Sequence, residues 1–339
     1  MITIDGSTGE GGGQVLRTAL SLSMVTGVPF TIENIRAKRR RPGLMRQHLT
    51  ALGAAQAICN AVVAGGELGS GKLQFTPGKV RGGTYRFAVG TAGSATLVLQ
   101  TILPALMLAA EPSAVELSGG THNPFAPPFP FLDECFLPWI NRMGPRVEAK
   151  LVRPGFYPAG GGVFTVQISP CSQPAPVEII RRGEIVRRSA RILVAGLAPH
   201  VAERQCSLLM ERTSLSRNDI AIEKLPPSMG PGNAVILSLQ SEHITEIFVG
   251  FGEKEISSAA VIERLVQEMR AYISAGVPVG RFLADQLLLP IALAGAGRYL
   301  TMPLSNHART NIEVIRQFLP VSIETAESPT GSVEVCVAN

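Results

Sequence analysis

Leu283-Ala284-Asp285-Gln286-Leu287-Leu288-Leu289-Pro290 is an apolar stretch interrupted by polar residues near its start. Leu97-Val98-Leu99-Gln100-Thr101-Ile102-Leu103-Pro104 has the same pattern, and Gln14-Val15-Leu16-Arg17-Thr18-Ala19-Leu20 resembles both. Aligning the three stretches puts three polar residues in one column: Arg17, Gln100 and Gln286. A pattern that recurs along one chain is typical of an internally repeated unit. The sequence therefore predicts a triplicated fold.

Each of the three stretches follows a turn that contains glycine, at residues 9–13, 90–94 and 276–280. Strand, turn and helix thus recur in the same order. A second amphipathic helix follows, most clearly at 44–62 and 311–318, whereas prolines interrupt the corresponding region at 124–143. We therefore expect an α/β (α+β) unit in which two helices pack against a sheet.

The region before the third stretch has a different pattern. It begins after the glycine-rich segment 156–162 and contains alternating strands, such as 192–195, and a predicted helix over 259–273. We predict a smaller inserted α+β domain at residues 184–275. The larger domain would then consist of residues 1–183 and 276–339.

The composition supports a large folded core and an anionic partner. The 339 residues are 45% hydrophobic and 17% charged, which excludes a disordered chain and favours two domains. The net charge is +5, and arginine greatly exceeds lysine among the basic residues. Because the planar guanidinium binds phosphate through two parallel hydrogen bonds, this balance favours phosphate recognition.

The cysteines and the N-terminal residues suggest a cytoplasmic protein. The five cysteines are scattered without a CxxC pair or metal-ligand spacing, which predicts reduced thiols. The chain enters a strand directly at residues 1–6, without the pattern of a signal peptide. Its longest apolar stretch, 97–110, contains polar residues and a proline and is too short for a bilayer, so we expect no membrane partner.

The glycine turn at residues 9–13 leads straight into the first helix, where free backbone amides and the helix dipole favour an anion. It lacks the lysine and the serine or threonine of a Walker loop. A tight turn without a ligand is the alternative interpretation. Glu10 favours a ligand, because a carboxylate among amides would repel phosphate unless a divalent cation lay between them. A metal-bridged triphosphate would satisfy both groups.

Two further segments are candidate sites. A basic run surrounds the Pro42-Gly43 turn, and it is either a solvated basic face, a localisation signal or a phosphate site. No pair of the five histidines has the spacing of a zinc site. His307 lies in a polar stretch, 305–311, that we interpret as a loop between a strand and a helix, a common location for reacting side chains.

In order, these motifs and several others resemble the RNA 3′-terminal phosphate cyclase family. The resemblance covers essentially the whole chain. Its motifs are Gly9-Glu10-Gly11-Gly12-Gly13-Gln14, the basic run from Arg36 to His48, Gly119-Gly120-Thr121, the glycine-rich segment from Phe156 to Gly162, His200-Val201-Ala202-Glu203-Arg204, Gly230-Pro231-Gly232-Asn233, Ala284-Asp285-Gln286, and the His307 segment through Asn311.

The resemblance implies a large domain of three repeats, each with two helices and a four-stranded sheet. These units would be similar to the repeats of enolpyruvyl transferases, with a smaller domain inserted before the last helices. It also implies a phosphorus–oxygen bond-forming ligase. ATP and an RNA 3′-phosphate would give a 2′,3′-cyclic phosphate, AMP and pyrophosphate, through AMP bound to His307 and then through an RNA-adenylate anhydride.

The resemblance further implies the residues of the site. His307 is the expected nucleophile, and Glu10 is the expected ligand of a divalent cation, Mg²⁺ or Mn²⁺. Adenine is expected between Pro127 with Phe131 on one side and Phe282, which stands where relatives often have Tyr, on the other. The ATP- and phosphate-binding residues that carry over are Gln14, Arg17, Arg36, Arg39, Gln47, His48, Gln100, Pro127, Phe131, Phe282, Leu283, Ala284, Asp285 and Gln286.

Two other functions are alternatives. One is a non-catalytic RNA-binding relative from the branch of the family that acts in ribosome assembly and lacks the adenylated histidine. The other is an enolpyruvyl transferase-like enzyme, which would require a carboxylate-rich cleft for a small acid. Basic residues dominate the expected site, so we expect RNA to be recognised without base specificity. The oligomeric state is not predicted.

Overall fold

The computed structural model describes residues 1–225 and 230–339. Within these residues the strands form four sheets of four strands each, and helices pack against them. Three of the sheets have the same strand order, and each of them belongs to one copy of a repeating unit. The predicted α/β (α+β) fold class of repeats is therefore confirmed.

The first repeat is a strand–helix–strand–helix unit followed by a hairpin. Its elements are β1 (Ile2–Asp5), α1 (Gly13–Thr26), β2 (Phe30–Glu33), α2 (Arg46–Cys59), β3 (Val62–Ala64) and β4 (Leu73–Thr76). The sheet order is β1-β2-β4-β3, and β1 and β2 are parallel. Most side chains of α1 are buried, as expected for a helix that is apolar on nearly all sides.

The second repeat has the same topology with a broken second helix. Its elements are β5 (Gly83–Ala88), α3 (Ala95–Leu106), β6 (Ser113–Gly119), α4 (Phe129–Phe131), α5 (Leu137–Arg142), β7 (Arg146–Arg153) and β8 (Gly162–Ser169). A π-helical turn, Leu132–Phe136, joins α4 to α5. The short pieces agree with the predicted interruption, because proline lacks the amide that a continuous helix requires. The sheet order is β5-β6-β8-β7.

A fourth sheet follows the short strand β9 (Glu178–Ile179). Its elements are β10 (Ile185–Ala195), α6 (Pro199–Arg212), β11 (Ile220–Leu225), β12 (Gly232–Ser241), β13 (Thr245–Phe251) and α7 (Ser258–Ala275), in the strand order β11-β10-β12-β13. One side of the sheet forms a core with α6 and α7. Leu193, Ile236 and Ile247 join the core of the repeats instead. The domain edges proposed at 184 and 275 stay a prediction, and residues 226–229 of that segment lie outside the described residues.

The third repeat is completed after the fourth sheet. Its remaining elements are α8 (Arg281–Ala294), β14 (Gly297–Thr301), α9 (Asn306–Phe318), β15 (Ser322–Glu327) and β16 (Val333–Ala338). The strand order is β9-β14-β16-β15, which matches the other two repeats. β9 and β14 are parallel, as are β1 with β2 and β5 with β6.

The repeats are joined through their helices. The second helix of one repeat packs on the first helix of another. Helix α2 of the first repeat contacts α3 of the second, the π-helical turn of the second repeat contacts α8 of the third, and α9 of the third repeat contacts α1 of the first. A small cavity lies among α1, α3 and α8, and Arg17, Gln100 and Gln286 are among the residues that line it. The three residues that the sequence alignment put in one column therefore meet at one place in the structure.

Two other features concern the chain as a whole. Each of the five cysteines is free, and Cys336 is exposed. Among the described residues, the helices are all too short or too polar to cross a membrane.

Candidate functional site

The glycine turn of the first repeat docks onto helix α9 of the third repeat. Gly9 and Gly11 have positive φ angles of 59°, which glycine adopts without steric cost. A β-carbon on Gly9 would collide with Oγ1 of Thr310, and the same Oγ1 accepts the backbone N–H of Glu10 at 3.0 Å. The turn is therefore held so that Glu10 points toward the start of α9.

His307 is the second residue of α9, so our interpretation of residues 305–311 as a loop was wrong. Oγ of Ser305 accepts the N–H of Ala308 at 3.1 Å and caps the helix, which begins at Asn306. The His307 side chain is about half exposed. Its Nδ1 lies 2.7 Å from Oε1 of Gln14 and 3.8 Å from Oε2 of Glu10.

The contact with Gln14 determines which nitrogen of His307 carries the proton. Nε2 of the buried Gln14 donates to Oδ1 of Asp285 at 2.6 Å, so its amide oxygen faces His307. An oxygen acceptor at Nδ1 requires the proton to be there, which leaves a lone pair on Nε2. Burial lowers the pKa of His307, although Asp285 opposes the shift. The neutral ring therefore presents an unprotonated Nε2.

Asp285 extends this network to the second repeat. Nε2 of Gln286 donates to Oδ2 of Asp285 at 3.2 Å, and Oε1 of Gln286 accepts a hydrogen bond from Nε2 of Gln100. One hydrogen-bonded chain thus connects α9, α1, α8 and α3. Burial raises the pKa of Asp285, whereas its hydrogen bond from Gln14 and the charges of His307 and Arg17 lower it. Burial is the largest of these effects, so the pKa of Asp285 lies above its ordinary value.

Arg17 and His48 converge at the start of α1. A β-carbon on Gly13 would touch Nε2 of His48 and lie 2.8 Å from Nη1 of Arg17. Nδ1 of His48 accepts the N–H of Met45 at 3.0 Å, so Nε2 carries the proton. Burial, with the nearby charges of Arg17 and Arg36, lowers the pKa of His48 to about 3. Burial lowers the pKa of Arg17 to about 10, so it remains a cation at neutral pH.

Residues of the basic run bind different partners within the protein. Arg39 forms an ion pair with Glu10. Nη1 of Arg36 donates to the carbonyls of Arg41 and Gly43, at 2.6 and 2.9 Å, and so holds its own loop. Oε1 of Gln47 accepts the N–H of Ser94 at 3.3 Å. Arg36, Arg39 and Gln47 therefore already have partners within the protein. Of these three predicted phosphate ligands, only Arg39 is paired with another predicted site residue.

The residues expected around adenine have different surroundings. Phe131 is buried in the core, whereas Phe282 is 56% exposed, and the guanidinium carbon of Arg281 lies 4.5 Å from the Phe282 ring centroid. The carbonyl of Pro127 accepts a hydrogen bond from Oγ1 of Thr96 at 2.7 Å. The side chains of Leu283 and Ala284 are also buried. Of this set, Phe282 has the accessible aromatic ring.

The proposed metal ligand is a single carboxylate. Among the described residues there is no cluster of three or more histidine, cysteine, aspartate or glutamate side chains that would hold a metal ion without other ligands. Glu10 is only slightly exposed and faces Arg39 and His307. One carboxylate still fits Mg²⁺, because this ion takes one or two protein carboxylates and completes its octahedron with waters and substrate phosphates.

Sequence reasoning missed three residues that hold the site together. Thr310 accepts the N–H of Glu10, as described above. The amide of Asn311 donates to the carbonyl of Asp285 at 3.2 Å, and Oδ1 of Asn311 accepts from Thr18 at 2.8 Å. Residues four apart share one face of a helix, so a helix beginning at Asn306 would have put Asn311 beside His307. The sequence signal for Asn311 is readable once the helix is taken to begin at Asn306.

The geometry can be compared with known families. The sequence model of the family described as RNA 3′-terminal phosphate cyclase matches residues 8–325, nearly the whole chain. The matched range contains the glycine turn, the basic run, helix α8 and His307. A match of this extent supports an enzyme of the RNA 3′-phosphate cyclase type, whose partners are RNA and ATP. The chain belongs to the RNA 3′-terminal phosphate cyclase family.

Proposed function

We propose that this protein converts an RNA 3′-terminal phosphate to a 2′,3′-cyclic phosphate, with ATP as the energy source and AMP bound to Nε2 of His307 as an intermediate. The observation that carries the proposal is the 2.7 Å contact between Nδ1 of His307 and Oε1 of Gln14. This contact keeps the Nε2 lone pair free, and a nitrogen nucleophile needs that lone pair to attack phosphorus.

In the first step, Nε2 attacks the α-phosphorus of ATP, and the bond from that phosphorus to the bridging oxygen of the β-phosphate breaks. Pyrophosphate leaves with the electron pair. No proton has to leave Nε2, because the proton is already on Nδ1. The adenylated ring then carries a positive charge, which is stabilised by the Gln14 oxygen and by the carboxylates of Glu10 and Asp285.

The start of α1 is the proposed phosphate site. Helix α1 begins at Gly13, and its N-cap residue, Gly12, provides no side-chain cap, so the first amides of the helix are available to an anion. The N–H at Nε2 of His48 and the guanidinium of Arg17 point to the same place. The low pKa of His48 makes it a neutral donor, and Arg17 supplies the positive charge.

A divalent cation would be held by Glu10 after Arg39 has moved away from the carboxylate. Such an ion, Mg²⁺ or Mn²⁺, would neutralise the charge that develops on the phosphate oxygens. The residues present fit this role, because the glycine turn puts the carboxylate next to the amides that would bind the phosphates. Arg39 would then be free to contact phosphate itself. We propose that adenine stacks on the accessible ring of Phe282.

In the second step, an oxygen of the RNA 3′-phosphate attacks the same α-phosphorus, and the phosphorus–nitrogen bond to His307 breaks. AMP is now joined to the RNA phosphate as an anhydride. The neighbouring ribose 2′-hydroxyl attacks the RNA phosphorus, loses its proton and expels AMP, which closes the ring. Proximity within one ribose provides a high effective concentration for this closure.

The proposal is tested by labelling the protein with ATP that is radioactive at the α-phosphate, in the presence of Mg²⁺. We expect wild type to acquire an acid-labile label and His307→Ala to acquire none. His200→Ala, which removes a histidine on the exposed surface, should label like wild type. Adding RNA with a 3′-phosphate should discharge the label as AMP, whereas RNA with a 3′-hydroxyl should not.

A wild-type protein that binds RNA but stays unlabelled would contradict the proposal and favour the non-catalytic relative. An enolpyruvyl transferase-like enzyme would also stay unlabelled, but it would turn over a small carboxylic acid instead of RNA. Label that persists in His307→Ala would show that another residue is the nucleophile.

A further inference from the structure

A buried glutamate of the fourth sheet lies at the start of helix α8. Glu246 belongs to β13 and is 3% exposed. Its Oε1 accepts the backbone N–H of Gly280 at 2.7 Å, and Gly280 is the residue at which α8 is capped. A β-carbon on Gly280 would lie only 2.7 Å from the same oxygen. Glu246 therefore reaches from the fourth sheet to the first helix of the third repeat.

The backbone before α8 has two further anchors. The hydroxyl of the buried Tyr272, in α7, donates to the carbonyl of Pro278 at 2.7 Å. Oγ1 of Thr301, in β14, donates to the carbonyl of Val279 at 2.8 Å. Three consecutive residues, Pro278 to Gly280, thus each have a side-chain partner from a different element. Of these partners, Glu246 is the acidic one; burial raises its pKa to about 8, so the side chain is mainly the neutral acid at pH 7 and still accepts the N–H of Gly280.

The three first helices begin differently. Helix α1 has no side-chain cap at Gly12. Helix α3 is capped by the hydroxyl of Ser94, which accepts the N–H of Leu97 at 3.2 Å. Helix α8 has the Glu246 carboxyl group at its start. The starts of α3 and α8 thus have side-chain acceptors for backbone N–H groups, whereas α1 has no side-chain cap, which leaves the start of α1 open to the triphosphate.

We propose that Glu246 is a positioning residue for the adenylation site, through which the fourth sheet sets the position of α8. The inference rests on the proposed function. Asp285 is the fifth residue of α8, which begins at Arg281, and it holds the Gln14 amide that orients His307. A shift at the start of α8 would move Asp285 and thereby release Gln14.

Two substitutions at Glu246 separate the effect of its oxygen acceptor from the effect of its side-chain volume. Glu246→Gln retains an oxygen acceptor for the N–H of Gly280, whereas Glu246→Leu has a similar volume without any acceptor. We expect Glu246→Gln to label His307 at a rate within about threefold of wild type. We expect Glu246→Leu to label it tenfold or more slowly when ATP is saturating, because misplacing the reacting groups lowers kcat more than it raises KM.

Phe248→Leu is the matched control. Phe248 lies two residues further along β13, on the same face of the sheet, and packs against the ring of Tyr272. This substitution should lower the stability of the fourth sheet and leave the labelling rate near that of wild type. If Phe248→Leu slows labelling as much as Glu246→Leu does, the effect is general destabilisation and the inference is overturned.

A second readout does not depend on catalysis. Hydrogen exchange of a peptide covering residues 277–286 should be faster in Glu246→Leu than in wild type, Glu246→Gln or Phe248→Leu. Unchanged exchange and labelling in Glu246→Leu, or a Glu246→Gln protein as slow as Glu246→Leu, would overturn the inference. If wild type is never labelled, the proposed function fails, and the exchange measurement still decides whether Glu246 holds α8.

Discussion

Nδ1 of His307 lies 2.7 Å from Oε1 of Gln14, although the two residues are 293 positions apart in the chain. Gln14 is held in turn by Asp285, at 2.6 Å. The position of the proton on the His307 ring is thus determined by an amide from another repeat. This arrangement differs from the common one in which a carboxylate contacts the histidine directly.

Gln14→Ala should slow adenylation of His307 about 100-fold, with a smaller change in KM for ATP, because the ring loses the partner that fixes its tautomer and orientation. The rate can be measured by single-turnover labelling with ATP. Gln167→Ala, which truncates an exposed glutamine of β8, is the control and should label normally. Normal labelling of Gln14→Ala would show that the tautomer does not depend on this contact.

Thr310→Val should lower the apparent affinity of the protein for the metal and ATP. Valine keeps the shape of threonine but cannot accept the N–H of Glu10. We expect the Mg²⁺ concentration for half-maximal labelling to rise about fivefold to tenfold, which corresponds to the loss of one ordinary hydrogen bond. Thr310→Ser retains the hydroxyl and should restore most of the activity. An unchanged Mg²⁺ requirement in Thr310→Val would contradict the role of Thr310 in holding the glycine turn.

Arg39→Met should increase the affinity of the ATP-free protein for a divalent cation, since Glu10 no longer has the guanidinium as a partner. Mn²⁺ binding followed by electron paramagnetic resonance would measure this, with an expected gain of several-fold. Glu10→Gln should abolish the binding. Arg46→Met removes an exposed arginine of α2 that lies outside this ion pair, and it should have no effect. If Arg39→Met and wild type bind Mn²⁺ equally, Glu10 is not the limiting ligand.

Acid should destabilise the fold through buried neutral histidines. Burial lowers the pKa of His48 to about 3, whereas an unfolded histidine titrates at about 6.5. The unfolded chain therefore takes up a proton first, and the stability that is complete above pH 6.5 declines as the pH falls toward 3. For His48 the loss at pH 5 should be about 2 kcal/mol of the free energy of unfolding.

Denaturant unfolding at pH 8 and pH 5 would measure this effect. His48→Gln cannot titrate in this range, so its free energy of unfolding should fall less between the two pH values than that of wild type. His243→Gln, at an exposed position, should behave like wild type. An identical fall in wild type and His48→Gln would show that His48 is not the responsible group.

Much of the fold was predictable from local patterns. The apolar stretches around Arg17, Gln100 and Gln286 predicted three equivalent helices, and α1, α3 and α8 occupy those positions. Periodicity suffices here because each helix buries most of its surface. The start of α9 was missed, because the polar residues Asn306 to Thr310 look like a loop until the cap at Ser305 is recognised.

By itself, the sequence determined the repeated architecture, the family and the candidate residues, since these follow from the order and spacing of residue types along the chain. Only the tertiary structure decided their partners. It paired Arg39 with Glu10, turned Arg36 toward its own loop, and brought Gln14 between His307 and Asp285. The physical reason is that hydrogen bonds and ion pairs act over a few ångströms, whereas these residues lie up to 293 positions apart and meet only when the repeats pack together.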